Sequence, residues 1–270
     1  MISFLLVSLL AVVPFDHSDW NQFLKKFVNE KGEVNYSAVK KDPKLLNSYL
    51  AKLKNISSQE FIQWPREEQI AIFINAYNSG VIKLVLNHYP VRTVMNIPGF
   101  WEQQSVELST YKQGAQGEPN VYSLNEIENV VLKKRFRDEK ILFALSKGAK
   151  GSPRLQQEAF TGTHLEGQLY LATQEFVNNP KQNQIEPGGK KLYLSRLFQW
   201  YGNDFLLNWG DFPEEKKWNP QEMAVLSFFA HYLQDSKKVE YLKEGEYKVR
   251  YSSFDWQLND WLPAAGQTKS

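Results

Sequence analysis

Between Pro65 and Pro90 the chain carries one stretch, roughly Arg66 to His88, that is apolar around most of a helical circumference. Ile70, Ile74, Tyr77, Val81 and Leu84 form one stripe at helical spacing, and Ala71, Ile82 and Val85 broaden it. Proline is tolerated at the first turn of a helix and stops one from beyond its end, so both boundaries are marked. A helix that is apolar on nearly every side must be covered on nearly every side. The pattern therefore predicts a buried central helix with the rest of the chain wrapped around it. Other helices are signalled by Trp20, Phe23, Leu24, Phe27 and Val28 after a Ser18 cap, by Leu46 to Leu53 after Pro43, and by three capping boxes. The boxes are Ser123 with Glu126, Thr163 with Glu166, and Asn219 with Glu222. Short strand signals fall at Val34 to Tyr36, Ile141 to Leu145, Lys191 to Leu194, Val239 to Leu242 and Tyr247 to Tyr251, and Val91 to Tyr122 reads as an irregular loop or hairpin. No stretch reads as an interdomain linker. The expectation is a leader over residues 1–14 and one α+β domain over 15–270, helix-rich with several short strands.

Composition narrows the chemistry. The 270 residues contain no cysteine, which excludes a disulfide, a thiolate metal site and a cysteine nucleophile. Lys plus Arg number 32 and Asp plus Glu 30, a balance that argues against a nucleic-acid partner. Histidines 17, 88, 164 and 231 share no metal-ligand spacing, so neither a metal nor another cofactor is expected. The apolar run Ile2 to Val13 is too short to span a bilayer and has the length of a secretory signal core, although no Lys or Arg precedes it. Export to the periplasm or extracellular space is the expectation, with membrane contact only through an uncleaved leader. A buried amino-terminal segment of a cytoplasmic protein is the alternative.

Several residues could carry function. Asn75 and Asn78 share a face of the buried helix beside Tyr77. They either pin loop backbone or line a ligand pocket. Glu128, in the otherwise apolar run Ile127 to Leu132, is a candidate general acid or base if buried. The loop Ser146-Lys147-Gly148-Ala149-Lys150-Gly151-Ser152-Pro153, with Ser152 as cap of a following helix, is either a solvated basic turn or an anion site. It lacks the Walker A spacing, and Ser146 sits in no nucleophile elbow. His17 is a further catalytic candidate. Eight Trp, 13 Tyr and 17 Phe include the clusters Phe198-Gln199-Trp200-Tyr201 and Phe254-Asp255-Trp256, which suit either a core or the floor of a cleft for sugar, peptide or base.

Taken in order, these segments resemble the domain-of-unknown-function 547 family. The pieces that carry the resemblance are Phe15-Asp16-His17, Gly32-x-Val34-Asn35-Tyr36, Ala71 to Asn78, Tyr122-Ser123-Leu124 with Ile127-Glu128, Phe143-Ala144-Leu145 with its loop, Phe198-x-Trp200-Tyr201, and Phe254-Asp255-Trp256-x-Leu258-Asn259. The resemblance implies an exported bacterial protein without an assigned activity, distantly similar to papain-like or transglutaminase-like folds. Where that family typically has two cysteines, this chain has Lys147 and Ser152. Joint loss suits a disulfide or metal pair, and loss of the first alone would remove a nucleophile. The expected function is an exported binding or scaffolding domain for a small molecule, peptide or glycan, with Asn75, Tyr77, Asn78, Lys147 and Ser152 as ligand contacts. The alternative is a hydrolase of a peptide, sugar or cell-wall bond using Glu128 or a histidine.

Overall fold

The structure is a computed structural model, and it describes residues 13–108, 120–209 and 218–261. All of the apolar run except Val13 lies outside the described residues. Helices α1 (Ser18–Phe27), α2 (Tyr36–Lys41), α3 (Lys44–Lys54) and α4 (Ser58–Gln63) precede α5 (Arg66–His88). Helices α2 and α3 pack on α5, α1 packs on α3, and Phe61 of α4 meets Phe73 of α5 at 5.6 Å between ring centroids. By length and hydropathy α5 would cross a bilayer, yet 89% of its most apolar window is buried inside the protein. Its burial runs unbroken from Glu68 to Ile82, as a helix without a wet face requires. Trp20, Phe23, Tyr49, Phe61 and Phe73, each at most 1% exposed, fill the layer around it.

A second apolar cluster is built by α6 (Leu165–Asn178), α7 (Arg196–Trp200), α8 (Gly202–Phe205), α9 (Pro220–Tyr232) and α10 (Ser236–Glu244) around Phe143, Phe198, Phe205, Phe228 and Phe229. The two clusters meet at Glu139–Ala144, a 3-10 helix where a strand was expected. Ile141 and Ala144 join the first cluster, and Leu142 and Phe143 join the second. That grouping has a period of three, with positions i and i+3 eclipsed, whereas a strand would pair 141 with 143. One apolar run thus serves two cores.

The sheets are small. Strands β1 (Val106–Leu108) and β2 (Asn120–Tyr122) pair antiparallel, and β3 (Lys191–Leu194) and β4 (Lys248–Tyr251) pair parallel in the register Lys191 to Lys248. The chain is therefore helix-rich α+β, as the sequence indicates. Val34 makes isolated bridges to Val28 and Asp260 instead of a strand. The Val239–Leu242 strand expectation also fails: those residues lie in α10, which Asp235 caps and Gly245, at φ +72°, ends.

The capping devices divide. The Ser123/Glu126 and Asn219/Glu222 boxes form. The Thr163/Glu166 box does not, because the Thr163 hydroxyl turns to His164 Nδ1 and Glu166 reaches Lys140. Ser18 is inside α1 and its hydroxyl donates to Asp16. No helix follows Ser152 and Pro153; that chain runs in turns and irregular structure to Phe160.

Candidate functional site

Glu128 lies on a π-helix, Glu126–Phe136, packed against α5. Extended π-helical runs are rare, and where they occur they often accompany functional positions. Glu128 is 4% exposed and Lys147 is 4% exposed. Lys147 Nζ donates to Glu128 Oε1 and Oε2, each at 2.7 Å. The Tyr77 hydroxyl donates to Oε2 at 3.0 Å, and the Tyr201 hydroxyl donates to Oε1. The ammonium is boxed by rings, with centroids of Tyr201, Trp101 and Tyr77 at 5.3, 5.7 and 5.8 Å.

The electrostatics follow from this geometry. Burial pushes the Glu128 carboxyl up, but the Lys147 charge and the three donors outweigh it and hold the carboxyl below its ordinary range. Burial likewise pushes Lys147 down, and Glu128 more than reverses it, so the ammonium is held above its usual value. Tyr77 and Tyr201 are driven up, first by burial and then by the carboxylate they bind. At neutral pH the cluster is a carboxylate, an ammonium and two intact phenols.

Above the ion pair opens a cleft of about 320 Å³ rimmed by Trp101, Trp200, Tyr201 and Trp256, with the amides of Asn125 and Asn129 at its edge. The two ring-rich stretches of the sequence converge here. Trp200 packs on Phe254 at 5.2 Å and on Trp256 at 5.8 Å, and Trp256 lies 6.4 Å from Trp101. Trp200 remains 47% exposed.

Tyr77, Glu128 and Lys147 thus meet, and the other candidates lie elsewhere. Asn78 donates to Ala144 O and accepts from Ser146 N, both at 2.9 Å. Asn75 donates to Phe160 O at 2.7 Å and accepts from Phe160 N at 3.1 Å. Both amides pin loop backbone to α5, and neither lines the aromatic cleft. Ser146 is buried beside Asn78. The loop amides are also spent internally: Lys147 N on Ser152 Oγ, Lys150 N on Gln257 O, Gly151 N on Asp255 O and Ser152 N on Ala149 O. Ser152 faces a separate polar cleft of about 580 Å³ bordered by Arg154, Glu175 and Asp255. Gly148, at φ +71°, is required where this loop presses on α5, since a Cβ would lie 3.0 Å from Val94 and 3.1 Å from Val81.

His17 belongs to a different cluster. Its Nδ1 is 2.8 Å from the Tyr49 hydroxyl and 3.4 Å from Asn75 Nδ2. Its buried Nε2 has no hydrogen-bond partner; Glu68 Oε1 stands 3.9 Å away. That carboxylate is already used by Phe15 N and Gly162 N. Burial therefore prevails and lowers His17 to about 4.

Tyr201 as a hydrogen-bond donor and Trp101 as a rim residue had no local signal. Tyr201 is 73 positions from Glu128, and only the packing of α7 and α8 beside the π-helix joins them.

Residues 61–177 match the model of a family described as "Protein of unknown function, DUF547". The resemblance read from the sequence runs further, from Phe15 to Asn259. No curated protein and no solved structure matches the chain. The matched segment includes α5, Glu128 and Lys147, while Trp200, Tyr201 and Trp256 lie beyond it. Over residues 61–177, less than half of its length, the chain is similar to the DUF547 family.

Proposed function

We propose that the protein is an exported binding domain whose aromatic cleft receives a glycan. One observation carries this reading: the cleft is rimmed by three indoles, of which Trp200 is exposed, and by amides, while Glu128 and Lys147 at its floor are committed to one another and Glu102 is the one further carboxyl among the described residues that lines it. Planar rings and amides suit the alternating apolar faces and hydroxyls of a sugar. A general acid must hold a proton near working pH and a general base must have a free lone pair. Glu128, ionised and engaged by three donors, meets neither condition, so the hydrolase alternative has less support. His17 does not line the cleft. Export is supported by the apolar run Ile2 to Val13 and by the family resemblance.

Calorimetric titration of the full chain with N-acetylhexosamine oligomers and with short peptides tests the ligand class. Saturable binding of the oligomers, lost by roughly thirtyfold in Trp200→Ala, is the expected result for a central aromatic contact. Binding of peptides alone would overturn the glycan assignment. Release of cleaved sugar in the same mixtures would transfer the reading to the hydrolase. Mass spectrometry of the mature amino terminus tests export, and retention of Met1 in a cytoplasmic fraction would refute it.

A further inference from the structure

A second cavity, of about 260 Å³, lies on the other side of Glu128 and Tyr201 from the aromatic cleft. Its wall differs in character. Leu132, Ile141, Leu142, Leu145 and Leu207 supply apolar surface, and charges gather at its border. Four carboxylates border it, and each already has a partner. Glu128 holds Lys147, Asp204 holds Lys133 at 2.9 Å, Asp138 accepts from Lys140 N at 3.0 Å, and Glu139 accepts from Trp209 Nε1 at 2.6 Å. Arg137 differs from them. Its Nε donates to Lys134 O, and its guanidinium pairs with no carboxylate among the described residues. Arg137 also has φ +52°, the one non-glycine residue in the left-handed region among the described residues. That conformation ends the π-helix: Arg137 is its C-cap and donates its backbone N–H to Lys133 O at 3.2 Å, which turns the side chain to the cavity border.

We propose that this cavity is a binding site for a small amphipathic carboxylate, with its hydrocarbon body against the leucines and its carboxylate on Arg137. The border carries four carboxylates against Lys133 and Arg137, and Lys147 and Lys140 stand against two of those carboxylates from outside it. The terminal guanidinium nitrogens of Arg137 are donors without a protein acceptor among the described residues, a planar fork that fits a carboxylate. A cavity a little below the usual size of small-molecule sites suits a medium-length chain or a single aryl ring. This cavity shares Glu128 and Tyr201 with the aromatic cleft but none of its indoles, so the glycan reading can fail without affecting the proposal.

Calorimetry of the full chain with octanoate, octanol and octylammonium, all below micelle-forming concentrations, tests the proposal. Octanoate binds saturably, octanol at least roughly tenfold more weakly, and octylammonium not measurably. Arg137→Asn, whose new residue tolerates the left-handed backbone, reduces octanoate affinity to that of octanol. Leu207→Glu, at a position 71% exposed, weakens octanoate by placing a like charge at the cavity while leaving the melting temperature unchanged. Trp200→Ala leaves octanoate binding as it was. Equal affinity for octanol, or no effect of Arg137→Asn, overturns the head-group assignment. Loss of octanoate binding in Trp200→Ala places the chain in the aromatic cleft instead, and absence of saturable binding overturns the site.

Discussion

The Lys147 ammonium sits 2.7 Å from both carboxylate oxygens of Glu128 in a site where 5% and 6% of the two side chains are exposed. An ion pair this deep has costs on both sides. Desolvating each charge is expensive, and the geometry recovers that expense only because Tyr77 and Tyr201 complete the carboxylate shell.

Removing one partner is therefore worse than removing both. Lys147→Met leaves a buried carboxylate with two phenols, and stability falls by about 3–5 kcal/mol. Adding Glu128→Gln restores most of that loss, since the neutral amide accepts from one tyrosine through its oxygen and donates through its NH2 to the other, whose hydroxyl can turn to accept. Urea midpoints of the three proteins check this; a double variant no more stable than Lys147→Met would refute it. The pH dependence has two limbs. Glu128 has a depressed folded value, so its contribution is present above the ordinary glutamate range and is lost as pH falls through the folded value. Lys147 has a raised one, so its contribution is present below 10.5 and is lost as pH rises through the folded value.

His17 makes a separate acid-sensitive element. Its ordinary value of 6.5 drops to about 4 on folding, chiefly through burial. The unfolded chain thus binds the proton more tightly, and stability present above pH 6.5 declines as pH falls toward 4. The loss amounts to roughly 3 kcal/mol. Asp16 favours the imidazolium and Lys52 opposes it, while Glu68 is held by two backbone amides. His17→Gln flattens the slope of melting temperature between pH 7 and pH 4.5. An unchanged slope in that variant would show that another group titrates.

Asn78 ties the loop behind Lys147 to α5. Asn78→Ala leaves Ala144 O and Ser146 N buried without their partner and costs about 1–3 kcal/mol. The effect should be local as well as global, because Ser146 adjoins Lys147. Amide exchange across 146–152 should accelerate ahead of exchange in α6. Uniform acceleration everywhere would contradict the clamp.

Legibility in the sequence followed the range of the physical signal. Burial of α5 could be read because its cause is local: an apolar circumference between two prolines leaves no solvated face. The Ser123/Glu126 and Asn219/Glu222 boxes could be read for the same reason, since donor and acceptor are three residues apart. The Thr163/Glu166 box has the same local signal and fails because distant Lys140 and adjacent His164 draw its side chains away. Ile141 to Leu145 is legible as buried but not as helical, because a short apolar run has no period of its own. Its period of three comes from serving two cores at once.

By itself, the sequence determined a cysteine-free, helix-rich α+β chain built on α5, and it marked Tyr77, Glu128 and Lys147 as candidates, with a cleft expected near the central helix, Glu128 and the 146–153 loop. Only the tertiary structure decided that these three form one cluster, that Tyr201 completes it, and that Trp101, Trp200 and Trp256 rim a cleft above it. It also decided that Asn75 and Asn78 bind backbone. The physical reason is range: propensity and capping act over three or four residues, whereas a buried charge selects its partners by proximity in space, at separations no local pattern encodes.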